Sequence, residues 1–335
     1  MRNSIGKLIG GSLIGAAAGF FGPMLLMSAN PLSGVVGAWL YAWAGIVPAG
    51  VFALVGLYTA NLLGGGAVAA GFALSVLVPM VVALVCIRMQ MSYKTCSRVS
   101  VFVQIGAVVV TLGAAWLYTR TDLVDLLMSN MEATFALLPY DMLNQLLNPN
   151  AAQTAGGSIL GAQELQARLQ AFLDSVGEVF KIGLPGMLLS NCLLAGILNV
   201  AAPVWVWARR GDERGIRRVP VSEWRLPESA AIGMPVCLVL GIILNYAGYP
   251  GGDSVNYAVQ MVFQTLLQIQ CMGAFSRLAK RAGSSRLMRG LLVFGALTFA
   301  AQIAVYLGAY SLYFGSQGLI STFIRNRNKN QEGDE

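Results

Sequence analysis

Long runs of apolar residues limit what this chain can fold into. Lipid offers no partner to backbone N–H and C=O groups, so chains cross membranes as helices of about 20 mainly apolar residues. The sequence therefore predicts an all-α, polytopic transmembrane bundle of eight or nine hydrophobic segments. The runs lie at 8–28, 34–63, 67–87, 101–118, 179–207, 231–249, 255–275 and 290–314. The second run is long and interrupted at Pro48, so it forms either one tilted helix or two short ones.

The charged residues indicate the same environment. Only 11% of the 335 residues are charged, against about 25% in soluble domains, too few to cover a soluble surface. The net charge of +7 resides mostly in short loops at 88–98, 209–225 and 277–289, which is typical of cytoplasmic loops and not of nucleic-acid binding. We therefore predict a multi-pass protein of the bacterial cytoplasmic membrane, with membrane lipid as one partner and no nucleic acid.

Four regions follow from this pattern. Residues 1–119 form the N-terminal transmembrane helices, and 179–322 form the C-terminal ones. Between them, 120–178 is predicted to be an extracytoplasmic insert of amphipathic helices, with pieces at 123–147 and 165–176 joined by a linker at 148–161. A polar tail, 323–335, ends the chain, and the side of the membrane on which it lies stays open.

Several kinds of chemistry are missing from the sequence. It has no histidine, no phosphate-binding G-x-x-x-x-G-K-[ST] motif, and five scattered cysteines without C-x-x-C spacing. The predicted spans carry no charged residue away from their ends, which disfavours an autonomous ion-driven transporter. We expect no enzyme, no cofactor and no metal site, and any ATP-driven activity would need partner subunits.

Glycines recur every four residues in the first segment. Gly11, Gly15 and Gly19 give small-x-x-x-small spacing, which lets another backbone approach closely. The approaching helix belongs either to this chain or to a partner subunit.

The most informative pattern is an amide stripe in the seventh segment. Asn256, Gln260, Gln264 and Gln268 recur every four residues and so share one helix face. Each amide needs hydrogen-bond partners in an apolar environment. Candidate neighbours are Asn191, Asn199, Asn245, Gln104 and Gln302. Two interpretations stay open: the amides join helices by hydrogen bonds, or they line a polar ligand cavity together with Asn191 and Asn245.

The C-terminal half carries a family resemblance. Gly-Leu-Pro-Gly at 183–186 opens a long helix, Ser-Glu-Trp-Arg-Leu-Pro at 222–227 leads into the next span, Leu-Gln-Ile-Gln-Cys-Met-Gly-Ala-Phe follows at 267–275, and an aromatic cluster lies at 310–314. Over most of its length the chain resembles the YybS-like family of predicted bacterial membrane proteins, a domain of unknown function. Its members often carry an acidic residue near the final aromatic cluster, and this chain has none there.

That family is distantly similar to the S components of energy-coupling factor transporters. The resemblance implies a substrate-binding subunit that takes up a small polar molecule from outside, with separate energy-coupling ATPase and transmembrane subunits supplying the energy. The alternative is a non-catalytic membrane scaffold or regulatory protein, whose basic loop 214–225, with Trp224 between two prolines, docks a cytoplasmic partner or touches anionic lipid.

Overall fold

The structure is a computed structural model that describes residues 2–25, 32–120, 123–147, 162–211, 219–283, 285, 288 and 301–314. All regular elements in these ranges are helical, as the sequence predicts. The α-helices are α1 Arg2–Leu25, α2 Ser33–Ala44, α3 Ile46–Phe72, α4 Val78–Arg88, α5 Tyr93–Thr119, α6 Leu123–Ala136, α7 Tyr140–Leu147, α8 Ala162–Arg209, α9 Glu228–Tyr246, α10 Gly252–Arg281 and α11 Ala301–Tyr313. A π-helical segment, Ala73–Leu77, joins α3 to α4, and a short 3₁₀ turn, Val221–Glu223, precedes α9.

Helices that could cross a membrane are present in the described ranges. By length and composition, four stretches qualify: Ile46–Arg88, Tyr93–Leu117, Gln163–Arg209 and Ser229–Tyr246. Shorter apolar helices lie at Ile5–Phe21 and Ile303–Tyr313. The number of crossings, eight or nine, stays a prediction.

The first of these stretches folds back on itself. A straight helix of its 43 residues would be about 65 Å long, twice the hydrocarbon thickness of a membrane. Helical geometry is lost at Gly64 and Gly65, the latter with φ of 69°. The rings of Phe52 and Phe72 then lie 6.3 Å apart, although 20 residues of straight helix would separate them by about 30 Å. The stretch therefore forms two arms that pack on each other.

The interruption predicted at Pro48 lies three residues earlier, at Gly45. Gly45 has φ of 100° and separates α2 from α3. Pro48 instead lies in the first turn of α3, where its missing N–H removes no intrahelical hydrogen bond.

The three glycines of the first helix lie where α1 packs on α3. All three are buried. A Cβ added to Gly15 would lie 2.6 Å from the Pro48 carbonyl oxygen, and one added to Gly19 would lie 2.6 Å from that of Phe52. A Cβ on Gly11 would lie 2.7 Å from the Ala44 Cβ. Only glycine permits this approach, which occurs within the chain.

The chain divides into two compact units. The larger comprises Met1–Thr111 and Gly186–Glu335, and the smaller comprises Leu112–Pro185. In the larger unit, one apolar core surrounds Leu40, Phe52 and Phe72. A second joins α9, α10 and α11 around Met234, Leu267 and Leu312.

The bounds of the smaller unit enclose the whole predicted insert, 120–178. The piece predicted at 123–147 is two helices, α6 and α7, because the chain turns at 137–139 before Tyr140. Phe135 packs edge-on against Phe172 of α8, with ring centroids 6.0 Å apart. The pieces predicted at 165–176 and 179–207 both belong to α8, a continuous helix. The predicted linker, 148–161, and polar tail, 323–335, lie outside the described residues.

Candidate functional site

The candidate site lies beside the π-helical segment between α3 and α4. There the backbone N–H of Val78 donates to the carbonyl of Ala73, five residues earlier. This wider turn changes which carbonyls are available to side chains, and such segments are frequent at functional sites. Ser75 and Val76 of the segment are buried.

Gln104 of α5 is hydrogen-bonded to this segment. Its side chain is fully buried, and Nε2 donates to the Ser75 carbonyl at 2.7 Å. Its Oε1 has no hydrogen-bond partner among the described residues. One end of the amide is therefore fixed, and the other presents a buried acceptor.

Asn199 of α8 and the π-helical segment both lie beside Gly34 of α2. The Asn199 side chain is 0% exposed, and within the described part of the chain neither Oδ1 nor Nδ2 has a hydrogen-bond partner. Gly34 of α2 lies against it: a Cβ there would lie 3.0 Å from the Val76 carbonyl oxygen and 3.5 Å from Asn199 Oδ1. A side chain at this position would press on the Val76 carbonyl and touch the Asn199 amide.

A close backbone contact fixes the helices that carry these amides. A Cβ added to Gly196 of α8 would lie 2.6 Å from the Val101 Cα of α5. Because Gly196 is less than one turn from Asn199, and Val101 less than one turn from Gln104, this contact sets the position of both amides.

Together these groups form the buried amide cluster: the side chains of Gln104 and Asn199 and the carbonyls of Ser75 and Val76. The cluster offers acceptor oxygens and the unpaired Nδ2 donor of Asn199, and it contains no charged group. Leaving a buried amide unpaired costs about 1–3 kcal/mol per group. The arrangement suits a small polar molecule that both donates and accepts hydrogen bonds.

The predicted stripe on α10 is divided between two environments. Gln260 Nε2 donates to Asn256 Oδ1 at 3.4 Å, and Asn256 faces α9, where a Cβ on Gly241 would lie 3.3 Å from the same Oδ1. Gln264 is exposed and Gln268 is half-buried. The stripe thus begins at the contact with α9 and continues onto the surface of α10.

The other predicted ligand residues are dispersed. Asn191 is half-buried on α8. Asn245 is half-buried at the end of α9, where its carbonyl accepts from Gly248 N–H in the turn toward α10. The side chain of Gln302 lies outside the described part. Asn199 and Gln104, expected only as neighbours of the stripe, meet the π-helical segment instead.

Sequence reasoning missed the role of Gln270, which lies on another face of α10. Its side chain is 4% exposed. Its Oε1 accepts from the backbone N–H of Leu226 at 2.9 Å, and its Nε2 donates to Ser311 Oγ at 3.3 Å. Gln270 therefore ties α10 both to the segment before α9 and to α11, which is a structural role.

The docking surface predicted around Trp224 is only partly described. Trp224 is buried and stacks on Trp205, with ring centroids 5.9 Å apart. Its ring therefore packs in the core of the larger unit. Residues 212–218 of the same loop lie outside the described residues.

Comparisons with known proteins place the chain in a family without assigning it a role. No curated protein and no solved structure matches it. The model of one family, described as "Predicted membrane protein (DUF2232)", matches residues 13–310. Nearly the whole chain is covered, including the amide cluster and both units. The chain therefore belongs to the DUF2232 family of predicted membrane proteins.

Proposed function

We propose that this membrane protein binds a small polar solute inside its helical core, as a substrate-binding subunit that depends on other chains for energy. The site is the buried amide cluster. The α10 stripe is not part of it. This role is the one implied by the resemblance to S components of energy-coupling factor transporters.

The observation that carries the proposal is the amide of Asn199. A buried amide with no hydrogen-bond partner is unfavourable by about 1–3 kcal/mol, and an apolar residue of similar shape would remove that cost. A solute that both accepts from Nδ2 and donates to Oδ1 would satisfy it. A second unpaired acceptor, Oε1 of Gln104, is buried where its Nε2 donates to the carbonyl of Ser75, the residue before Val76.

The chemistry of the cluster restricts the charge and size of the solutes that can bind. No ionised side chain belongs to it, so a strongly charged anion would be left without a counter-charge in a low-dielectric interior. The solute is therefore neutral or carries one positive charge. It is small, because helix backbones lie close around the cluster at Gly34 and Gly196.

Native mass spectrometry after gentle extraction from the native membrane tests the proposal. We expect the wild-type protein to retain a solute that Asn199→Leu loses, with roughly 30-fold or greater weakening from two lost hydrogen bonds. Gln264→Leu is the matched control because it removes an exposed amide, and it should retain the solute. Co-purifying ATPase subunits would support the transport role.

A folded wild-type protein that carries no solute, with Asn199→Leu indistinguishable from it, would refute the proposal. The scaffold alternative would then be favoured if the same preparation held a reproducible cytoplasmic partner. Circular dichroism of each variant separates loss of solute from loss of fold.

A further inference from the structure

A second site lies apart from the amide cluster, at the end of α10. A groove of about 440 Å³ opens between α10, α11 and the segment before α9. Arg225, Arg277 and Arg281 are among its lining residues. Its remaining walls are largely apolar and aromatic, including Phe275, Leu307 and Tyr310.

The three arginines have no acidic partner in the described ranges. The ion pairs found there join Arg168 to Glu164 and Lys181 to Asp125, both in the smaller unit. Arg277 is held in place, because Nη1 donates to the Ser222 carbonyl at 2.9 Å and Nη2 lies 3.4 Å from Ser311 Oγ. Arg225 and Arg281 are exposed at the rim. Three like charges thus converge on one groove.

A second basic groove of similar volume differs in that its arginines already have partners within the protein. It is lined by Lys7, Arg88 and Arg210. There Arg210 donates to the carbonyls of Ala42 and Trp43 at the end of α2, and Arg88 binds the Tyr41 hydroxyl and packs over its ring. The guanidinium groups of Arg88 and Arg210 are therefore already hydrogen-bonded within the protein. Arg225 and Arg281 make no comparable contact within the described residues.

The neighbouring positive charges affect the pKa of Arg277, which lies outside the four candidate spans. Burial, and after it the charges of Arg225 and Arg281, lowers the pKa of the Arg277 guanidinium below its ordinary value. An anion in the groove would offset the repulsion among the three charges. The guanidinium geometry is suited to phosphate, which it contacts through two parallel N–H groups.

We propose that this groove binds the phosphate headgroup of an anionic membrane lipid between Arg225, Arg277 and Arg281. The apolar wall favours a lipid over free phosphate. Leu307, Tyr310 and Phe314 are 38%, 63% and 59% exposed, and the last two rings are stacked 5.9 Å apart. Acyl chains would cover this surface while the headgroup meets the arginines, as in other basic pockets at the cytoplasmic side of membrane helices.

Binding of dioleoyl phosphatidylglycerol to the full chain in detergent micelles, followed by native mass spectrometry, tests this assignment. The variant is Arg225→Gln/Arg281→Gln, which leaves the anchored Arg277 intact. We expect roughly 30-fold weaker lipid binding, because each basic residue near a membrane surface contributes about a factor of five. The matched control, Arg209→Gln/Lys280→Gln, removes two exposed charges that do not line the groove and should bind like wild type.

Two further binding experiments distinguish a lipid headgroup from free phosphate as the ligand. Dioleoyl phosphatidylcholine, which carries no net charge, should bind far more weakly than phosphatidylglycerol. Inorganic phosphate at equal concentration should not displace the lipid. Equal binding by the groove and control variants would overturn the proposal, as would displacement by inorganic phosphate, which would indicate a soluble phosphate ligand.

Discussion

Two amides of this protein are buried almost equally, yet their surroundings differ completely. Gln270 is 4% exposed and has a partner for each end of its amide, Leu226 N–H and Ser311 Oγ. Asn199 is 0% exposed and has a partner for neither end among the described residues. Burial alone therefore does not reveal which polar residue is structural. The hydrogen-bond partners do.

The difference matters most in a membrane, where water cannot supply the missing partners. A satisfied amide joins helices and stabilises the fold, as Gln270 joins α10 to α11 and to the segment before α9. An unsatisfied amide destabilises the empty protein and contributes free energy to whatever binds it. The comparison predicts that leucine at position 270 destabilises the empty protein and that leucine at position 199 does not.

We expect the largest loss of stability from a substitution at Gly273, three residues after Gln270 on α10. A Cβ added to Gly273 would overlap the carbonyl oxygen of Trp224, and a carbonyl in a packed segment cannot move aside as a flexible side chain can. We expect Gly273→Ala to lower the free energy of unfolding by about 3 kcal/mol or more, because the overlap is with a backbone atom, measured by SDS titration in mixed micelles.

The control for this substitution is Gly233→Ala in α9, where a Cβ meets nothing within 4 Å. It should leave stability unchanged or raise it by up to about 1 kcal/mol, because alanine has the higher helix propensity. Equal effects of the two substitutions would show that the contact of α10 with the segment before α9 is not close.

Removing the satisfied amide should have the next largest effect. Gln270→Leu leaves the Leu226 N–H without its acceptor in a partly buried segment, so we expect a loss of about 1–3 kcal/mol. The matched control is Gln264→Leu on the same helix, whose side chain is exposed and whose removal should change stability by less than about 0.5 kcal/mol. If both variants unfold alike, Gln270 does not join the helices.

Parts of this arrangement could be predicted from the sequence. Apolar run length predicts helices, and the spacing of Gly11, Gly15 and Gly19 predicts a close helix contact, because both depend on local periodicity. The stripe Asn256, Gln260, Gln264 and Gln268 also follows from periodicity. Its spacing cannot reveal that one end meets α9 while Gln264 is exposed, since that depends on how far the neighbouring helix extends.

The amide cluster depends on contacts that no local pattern indicates. Gln104 and Asn199 are isolated amides in apolar runs, which is the only sequence signal they carry. The segment beside them, Ala73–Leu77, has the sequence of an ordinary apolar helix, and no residue in it predicts a π-helical turn. The fold-back at Gly64 and Gly65 is easier to anticipate, because consecutive glycines weaken a helix.

The smallest expected effect on stability, and the most discriminating one, is at Asn199. Asn199→Leu replaces an unpaired buried amide with an apolar side chain of similar shape, so we expect the empty protein to keep its stability or gain up to about 1 kcal/mol. The same SDS titration should be made before and after removal of any retained solute by extensive detergent exchange. In the solute-bound state the wild-type protein should be the more stable, because binding stabilises only the protein that still carries the amide. A loss of more than about 1 kcal/mol in the empty state would mean that Asn199 has partners in the folded protein after all, and the comparison with Gln270 would then fail.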